Sequence, residues 1–263
     1  METIDVVLIG AGNVATHLGG ELQRRGCVVR QVYSRTEASA RRLADRLRVS
    51  FTTDVDAVVR DASLYVVAVK DAALDELLPR LTRGRDGALF VHTAGSIPLS
   101  VWEGLTARYG VFYPMQTFSR QREVDFSDIP CFVEANTPQD TALLRRLAER
   151  MSRRVYEASS GQRRCLHIAA VFACNFTNHL YAVCHRLLAA QGLPFEVMLP
   201  LIDETARKVH ELSPEEAQTG PARRYDENVI GRHLQMLSGQ PDLAQIYDLL
   251  SRHIHDYETH KTE

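Results

Sequence analysis

"VVLIGAGNVATHLGGEL", Val6 to Leu22, runs a short apolar segment into a glycine cluster and then into a helix-like stretch. Within it, Gly10-Ala11-Gly12-Asn13-Val14-Ala15 matches G-x-G-x-x-G/A, with the strand before it and the helix after it that the pattern requires. Gly10 permits the tight turn, Gly12 leaves room for a pyrophosphate, and Ala15 lets the helix pack close to the sheet. The anion then meets the amides around Asn13 and Val14 at the positive end of the helix. A plain strand-to-helix turn is the alternative; position and context favour dinucleotide binding.

The end of the second strand, "VYSRTEASARR", indicates which dinucleotide. An NAD site usually carries an acidic residue there for the ribose 2′-hydroxyl, whereas Ser34, Arg35 and Thr36 occupy this position. Arg35 can stack on adenine while donating to a 2′-phosphate, the two hydroxyls add donors, and Arg41 and Arg42 stand nearby. NADP(H) is therefore expected over NAD(H), unless Arg35 is a solvated cation and Glu37 takes the ribose.

Around this turn the chain reads as an α/β domain, residues 1–158, followed by a helical domain, residues 159–263. Strands are expected at 4–9, 28–33, 50–52, 64–69, 88–92, 110–113, 131–134 and 155–157, several apolar on both faces as buried parallel strands are. Helices are expected at 14–25, 37–47, 72–81 and 138–152. The alternation gives a doubly wound, Rossmann-type parallel sheet. After "SSGQ", Ser159 to Gln162, the strand signals stop. Helical periodicity continues with breaks at "QGLP", "SPEE" and "TGP". The segment 165–188 is apolar on so much of its circumference that a central place, at a subunit interface, is expected for it. The tail "HKTE" is expected to fray.

Further candidates lie at other strand ends. Val69 and Lys70 would cover the pyrophosphate or ribose, although Lys70 reads equally well as a surface lysine. His92, opening "HTAGS", is the titratable group expected nearest the nicotinamide, with a buried structural histidine as the competing reading and Ser96 as a helix cap. "YPMQTF", Tyr113 to Phe118, reads as a pocket wall. In "NFTNHL", Asn175, Asn178 and His179 share one helix face, where they either hold backbone or face a polar substrate. Arg223 and Arg224 of "TGPARRYD" are either a carboxylate anchor or ordinary loop cations. A metal held by His179 with Cys174, Cys184 or His185 lacks the spacing, so none is expected.

Composition bounds the rest. The 263 residues, 45% hydrophobic and 24% charged with a formal net charge of -2, describe a soluble globular chain with no need of a nucleic-acid partner. No apolar run reaches membrane-spanning length and the start lacks a signal-peptide pattern, so a cytoplasmic protein without a membrane partner is expected. Five scattered cysteines suggest reduced, mostly buried thiols.

Taken together, GAGNVA, SRT, HTAGS, YPMQTF, NFTNHL, PLIDET and TGPARRYD, spread over nearly the whole chain, resemble the two-domain Rossmann-like family described as NADP oxidoreductases, whose C-terminal helical domain is classed as of unknown function. More distantly the layout is similar to pyrroline-5-carboxylate reductase and the deazaflavin-dependent NADP reductases. The resemblance implies an NADP-linked reductase, dimeric through its helical domain, with an unidentified small-molecule substrate in the cleft between domains. On that reading hydride passes to or from a C=O or C=N group, His92 or His179 supplies the proton, and Asn175 positions the substrate. The alternative is a non-catalytic NADPH-binding sensor or scaffold.

Overall fold

The computed structural model describes residues 3–259; the expected frayed tail, residues 260–263, lies outside them. Eight strands form a single sheet in the order β3-β2-β1-β4-β5-β6-β7-β8. These are β1 (Asp5–Ile9), β2 (Val28–Tyr33), β3 (Ser50–Thr52), β4 (Leu64–Val67), β5 (Leu89–His92), β6 (Tyr109–Pro114), β7 (Cys131–Ala135) and β8 (Val155–Glu157). All eight fall where the apolar runs place them, and the first six give the Rossmann order 3-2-1-4-5-6 with every pair parallel.

Alternate residues of the strands feed two cores. Val6, Leu8, Val32, Val66 and Val91 pack on one face with Leu18 and Leu22 of α1 (Asn13–Arg24), Leu43 and Leu47 of α2 (Glu37–Leu47), and Leu144 and Leu147 of α4 (Pro138–Glu149). Val7, Ile9, Tyr65, Val67 and Phe90 pack on the other, against Leu74, Leu78 and Leu81 of α3 (Leu74–Thr82) and against Trp102. Burial on both faces is why these strands read as continuous apolar runs. Gly19 brings α1 closest to the sheet: a Cβ there would lie 2.5 Å from a Leu8 methyl.

One expectation of the parallel sheet is corrected. β7 runs antiparallel to β6, from Cys131 opposite Pro114 to Ala135 opposite Gly110, and β8 is parallel to β7. Residues 115–130, which link β6 to β7, contain no α-helix. A direct return without a crossover helix suits an antiparallel neighbour. It also keeps the whole connection at the carboxyl edge of the parallel strands, beside the glycine turn.

Two compact units divide the chain between Asn178 and His179. The first unit thus extends past the last strand to include α5 (Ser160–Ala170) and a π-helical turn (Val171–Phe176), 20 residues beyond the boundary drawn at 158. Ser159 and Gln162 close a capping box at the start of α5. Arg163, with no exposed side-chain surface, then ties α5 to the sheet: it pairs with Glu134 and donates to the carbonyls of Ile97 at 2.9 Å and Ala158 at 3.2 Å. The second unit is helical, with α6 (Thr177–Ala189) running into it from the first, then α7 (Leu199–Lys208), α8 (Pro214–Ala217), α9 (Glu227–Met236) and α10 (Pro241–Thr259). Its "SPEE" break is a second capping box, between Ser213 and Glu216. Tyr225, in "TGPARRYD", takes a left-handed φ of 49° and stacks on His255 at 4.8 Å.

Candidate functional site

A cavity of about 820 Å3 opens at the carboxyl edge of the sheet within the first unit, with the glycine turn as its floor. Gly10 has a φ of +116°, and its N–H donates to the Tyr33 carbonyl at 2.8 Å. A Cβ on Gly10 would meet the Ala68 carbonyl oxygen at 2.3 Å, so only glycine fits. Gly12 differs: a Cβ there would have no atom within 4 Å, and Gly12 itself lines the cavity. The first glycine is thus demanded by the fold. The second leaves space that a ligand can enter.

Asn13 and Val14 also line the cavity at the start of α1, whose first turn holds no acidic residue to offset the positive end of the helix dipole. The side chain of Asn13 donates to the Phe118 carbonyl at 2.8 Å, tying the start of α1 to the connection after β6.

At the end of β2, Ser34, Arg35 and Thr36 line the cavity together with Ser39, which the sequence reading did not single out. Glu37 is not among the lining residues; it pairs with Arg41 at 2.6 Å, and Arg41 lies over the Phe51 ring at 5.1 Å. The competing acceptor for a ribose is therefore turned away. Val69 and Lys70 line the opposite wall after β4, with Arg80 and Glu76 contributed by α3. Four cations (Arg35, Lys70, Arg80 and Arg120) face two carboxylates (Asp71 and Glu76) in the wall, a balance that attracts an anion.

His92 is corrected. It is only 1% exposed and lies beneath the cavity, while Thr93, Ala94, Gly95 and Ser96 after it form the wall. Its Nδ1 accepts the Ala94 N–H at 3.2 Å, its ring stacks with Trp102 at 6.3 Å, and Nε2 makes no well-aligned hydrogen bond. Burial, reinforced by the Arg163 charge and only partly offset by the Pro98 carbonyl, lowers its pKa to about 3. The ring is neutral at physiological pH and does not line the cavity. Ser96 is no helix cap; its hydroxyl donates to Asp71 at 2.7 Å.

The helical candidates separate as well. Asn175 sits in the π-helical turn of the first unit and His179 opens the second unit; both are exposed, as is Asn178. The apolar circumference of this helix is real, but it is exposed in the single chain: Ile168, Phe172 and Phe176 are each at least half exposed. Arg223 and Arg224 are exposed, and Arg223 donates to the Gln218 carbonyl of its own turn at 3.1 Å. Only Cys27 and Cys131 are buried, the latter with a thiol pKa pushed by burial up to about 12; Cys165 and Cys174 are exposed.

Two titratable groups that the sequence reading left out of the catalytic set do enter the cavity. Tyr113, at the end of β6, lies over Gly95 so closely that a Cβ there would come 3.0 Å from its hydroxyl and 3.1 Å from the Cβ of His167. Burial raises the phenol pKa, keeping it protonated, and its hydroxyl has no hydrogen-bond partner among the described residues. Its place at a strand's carboxyl end is what puts Tyr113 in the expected pocket wall; for His167, on a helix far along the chain, the sequence held no such sign.

The comparisons with known proteins agree with this architecture. Residues 2–115 match the Rossmann-like domain model, and residues 129–254 match the domain of unknown function DUF2520. A Bacteroides fragilis protein described as a "putative NADP oxidoreductase" is 59% identical, covering 97% of this chain and 98% of its own, with a TM-score of 0.93. This chain belongs to that Rossmann-like DUF2520 family. The DUF2520 match begins just before β7, so the domain takes in the antiparallel end of the sheet as well as the helices. Two remoter structures share the fold. An imine reductase of Myxococcus stipitatus solved with NADP+ is 17% identical, covers 96% of this chain and 93% of its own, and has a TM-score of 0.70. A 1-pyrroline-5-carboxylate reductase of Streptococcus pyogenes is 11% identical, covers 97% and 99%, and has a TM-score of 0.62. No curated protein matches the sequence.

Proposed function

We propose that this chain is an NADP(H)-dependent oxidoreductase that transfers hydride between the nicotinamide and a small C=O or C=N substrate. The observation that carries the reading is the pairing of the open space over Gly12 with a carboxylate-free wall of Ser34, Arg35, Thr36 and Ser39 in one cavity. The first fits a pyrophosphate and the second a 2′-phosphate, which Arg35 would meet with charge-assisted hydrogen bonds. The description of the Bacteroides fragilis relative as an NADP oxidoreductase points the same way.

When bound, the nicotinamide supplies the hydride. The chain's own part is to hold the dinucleotide along the glycine turn and to present a proton where charge develops on the substrate. Tyr113 takes that role in place of His92 and His179, because its protonated hydroxyl is free within the cavity, with His167 beside it. The exposed apolar residues of α5 and the π-helical turn support a homodimer formed through the helical region.

Calorimetric titration with NADPH and NADH tests the reading. NADPH is expected to bind more tightly, and Arg35→Ala to weaken NADPH by roughly 10- to 100-fold while leaving NADH nearly unchanged. Failure of both nucleotides to bind would overturn the proposal.

A further inference from the structure

The connection from β6 to β7 reaches across the sheet edge and fastens to the start of α1. Asn13 donates to the Phe118 carbonyl at 2.8 Å, His17 Nε2 meets the Ser119 carbonyl at 2.8 Å, and Arg120 Nη2 donates to the Ala11 carbonyl at 2.8 Å. The His17 ring stacks on Phe118 at 5.2 Å, and Phe118 stacks in turn on Phe126 at 5.8 Å, a side chain only 2% exposed. This strap is thus anchored at one end in the core and at the other on the glycine turn.

Its placement sets a cation in an unusual position. Arg120 lines the cavity beside Gly10, Gly12 and Asn13, at the positive end of α1, where a positive side chain is ordinarily disfavoured. No carboxylate pairs with it among the described residues, and only one of its five N–H donors is used, on Ala11. An exposed guanidinium held by one hydrogen bond, on a strap fastened by two more, faces a like-signed helix end, an arrangement that suits an anion between the two.

We propose that Arg120 is a phosphate clamp: its guanidinium, steadied by the Ala11 carbonyl, holds the pyrophosphate of the dinucleotide from the side opposite the N-terminus of α1. This rests on the NADP(H) reading above and adds to it a residue outside the glycine motif. The strap supplies the half of the phosphate site that the motif lacks. Because the antiparallel return of β7 keeps residues 115–130 at this edge, the sheet's departure from a parallel pattern is what brings Arg120 here.

The test compares NADP+ with adenosine 2′-monophosphate, which keeps the 2′-phosphate and lacks the pyrophosphate, by calorimetry on the wild-type chain, Arg120→Ala and Arg120→Gln. Arg120→Gln removes the charge and keeps a polar amide on a shorter side chain. Both variants are expected to bind NADP+ roughly 10- to 100-fold more weakly, with adenosine 2′-monophosphate unchanged and with wild-type thermal unfolding. NADP+ binding to either variant at wild-type strength would overturn the clamp, as would equal losses for both ligands. If the wild-type protein binds both adenosine 2′-monophosphate and NADP+ and the variants bind NADP+ as tightly, the clamp alone falls; if the wild type binds neither ligand, the NADP(H) reading falls with it.

Discussion

Gly10 and Gly12 look interchangeable in the motif and differ in what they do. Alanine at position 10 would have to hold a φ of +116° with its Cβ 2.3 Å from the Ala68 carbonyl oxygen, so Gly10→Ala should cost about 2 kcal/mol or more of stability in urea unfolding. Gly12→Val places its side chain in open cavity, and should stay within about 0.5 kcal/mol of wild type while abolishing nucleotide binding. Equal stability losses would show that both glycines serve only the turn. His92 makes a second separation possible. Its folded-state pKa of about 3 lies below the ordinary 6.5, so the unfolded chain takes up a proton that the folded chain refuses. The stability tied to its neutrality is fully present above pH 6.5 and is lost as pH falls toward 3. Between pH 7 and pH 5 the loss should be about 2 kcal/mol, and His92→Gln should remove that part of the acid sensitivity. Parallel pH profiles for the two proteins in urea would mean that water reaches the ring.

At the scale of elements, what could be read from the sequence was what local pattern controls. Runs such as Leu64–Val67 and Leu89–His92 are buried on both faces, and no other element fits so short an apolar stretch between turn signals. The lining residues Gly10, Gly12, Ser34, Arg35, Thr36, Val69 and Lys70 were legible because the Rossmann order fixes which strand ends meet. The strap was not: Asn13 and Phe118 are 105 positions apart, and nothing local to either marks the bond. The backbone of His92 ends a strand at the edge the sequence indicates, while its ring turns onto Trp102, an orientation no local pattern reports. On the helix through Asn175 and His179, an almost wholly apolar circumference conceals which face is covered, and in the single chain both polar residues are exposed. Arg163 belongs to the same class of contact-dependent features, since its burial comes from β7 and the loop after β5. Arg163→Ala should destabilise the first unit by about 3 kcal/mol, leaving Glu134 without its partner, and Arg163→Met with Glu134→Gln should recover part of that in urea unfolding. A cost under about 1 kcal/mol would show that water replaces the guanidinium readily.

For the whole molecule, the surface holds an imbalance that one chain does not resolve. In the first unit Ile168, Phe172 and Phe176 are 59%, 64% and 50% exposed, with the two phenylalanine rings in an edge-to-face contact at 5.0 Å. In the second, Leu193, Val197 and Leu201 are each more than half exposed. The exposed apolar side chains of the first unit, spaced along α5 and the π-helical turn, are of the kind that marks association, and the near-neutral charge of the chain puts up little electrostatic resistance to pairing with itself. A second copy is the occupant proposed for this apolar face. Light scattering after gel filtration should therefore give twice the mass of 29.6 kDa at micromolar concentration. Phe172→Glu combined with Phe176→Glu should shift that mass to one chain, since burying two carboxylates in an apolar interface costs more than the contacts return. The variant's nucleotide affinity supplies the discriminating control, because neither phenylalanine lines the cavity. A monomer that still binds NADPH would separate assembly from cofactor binding, whereas a wild-type protein that elutes as a single chain would leave the apolar face to another partner and remove the dimer from the proposed function.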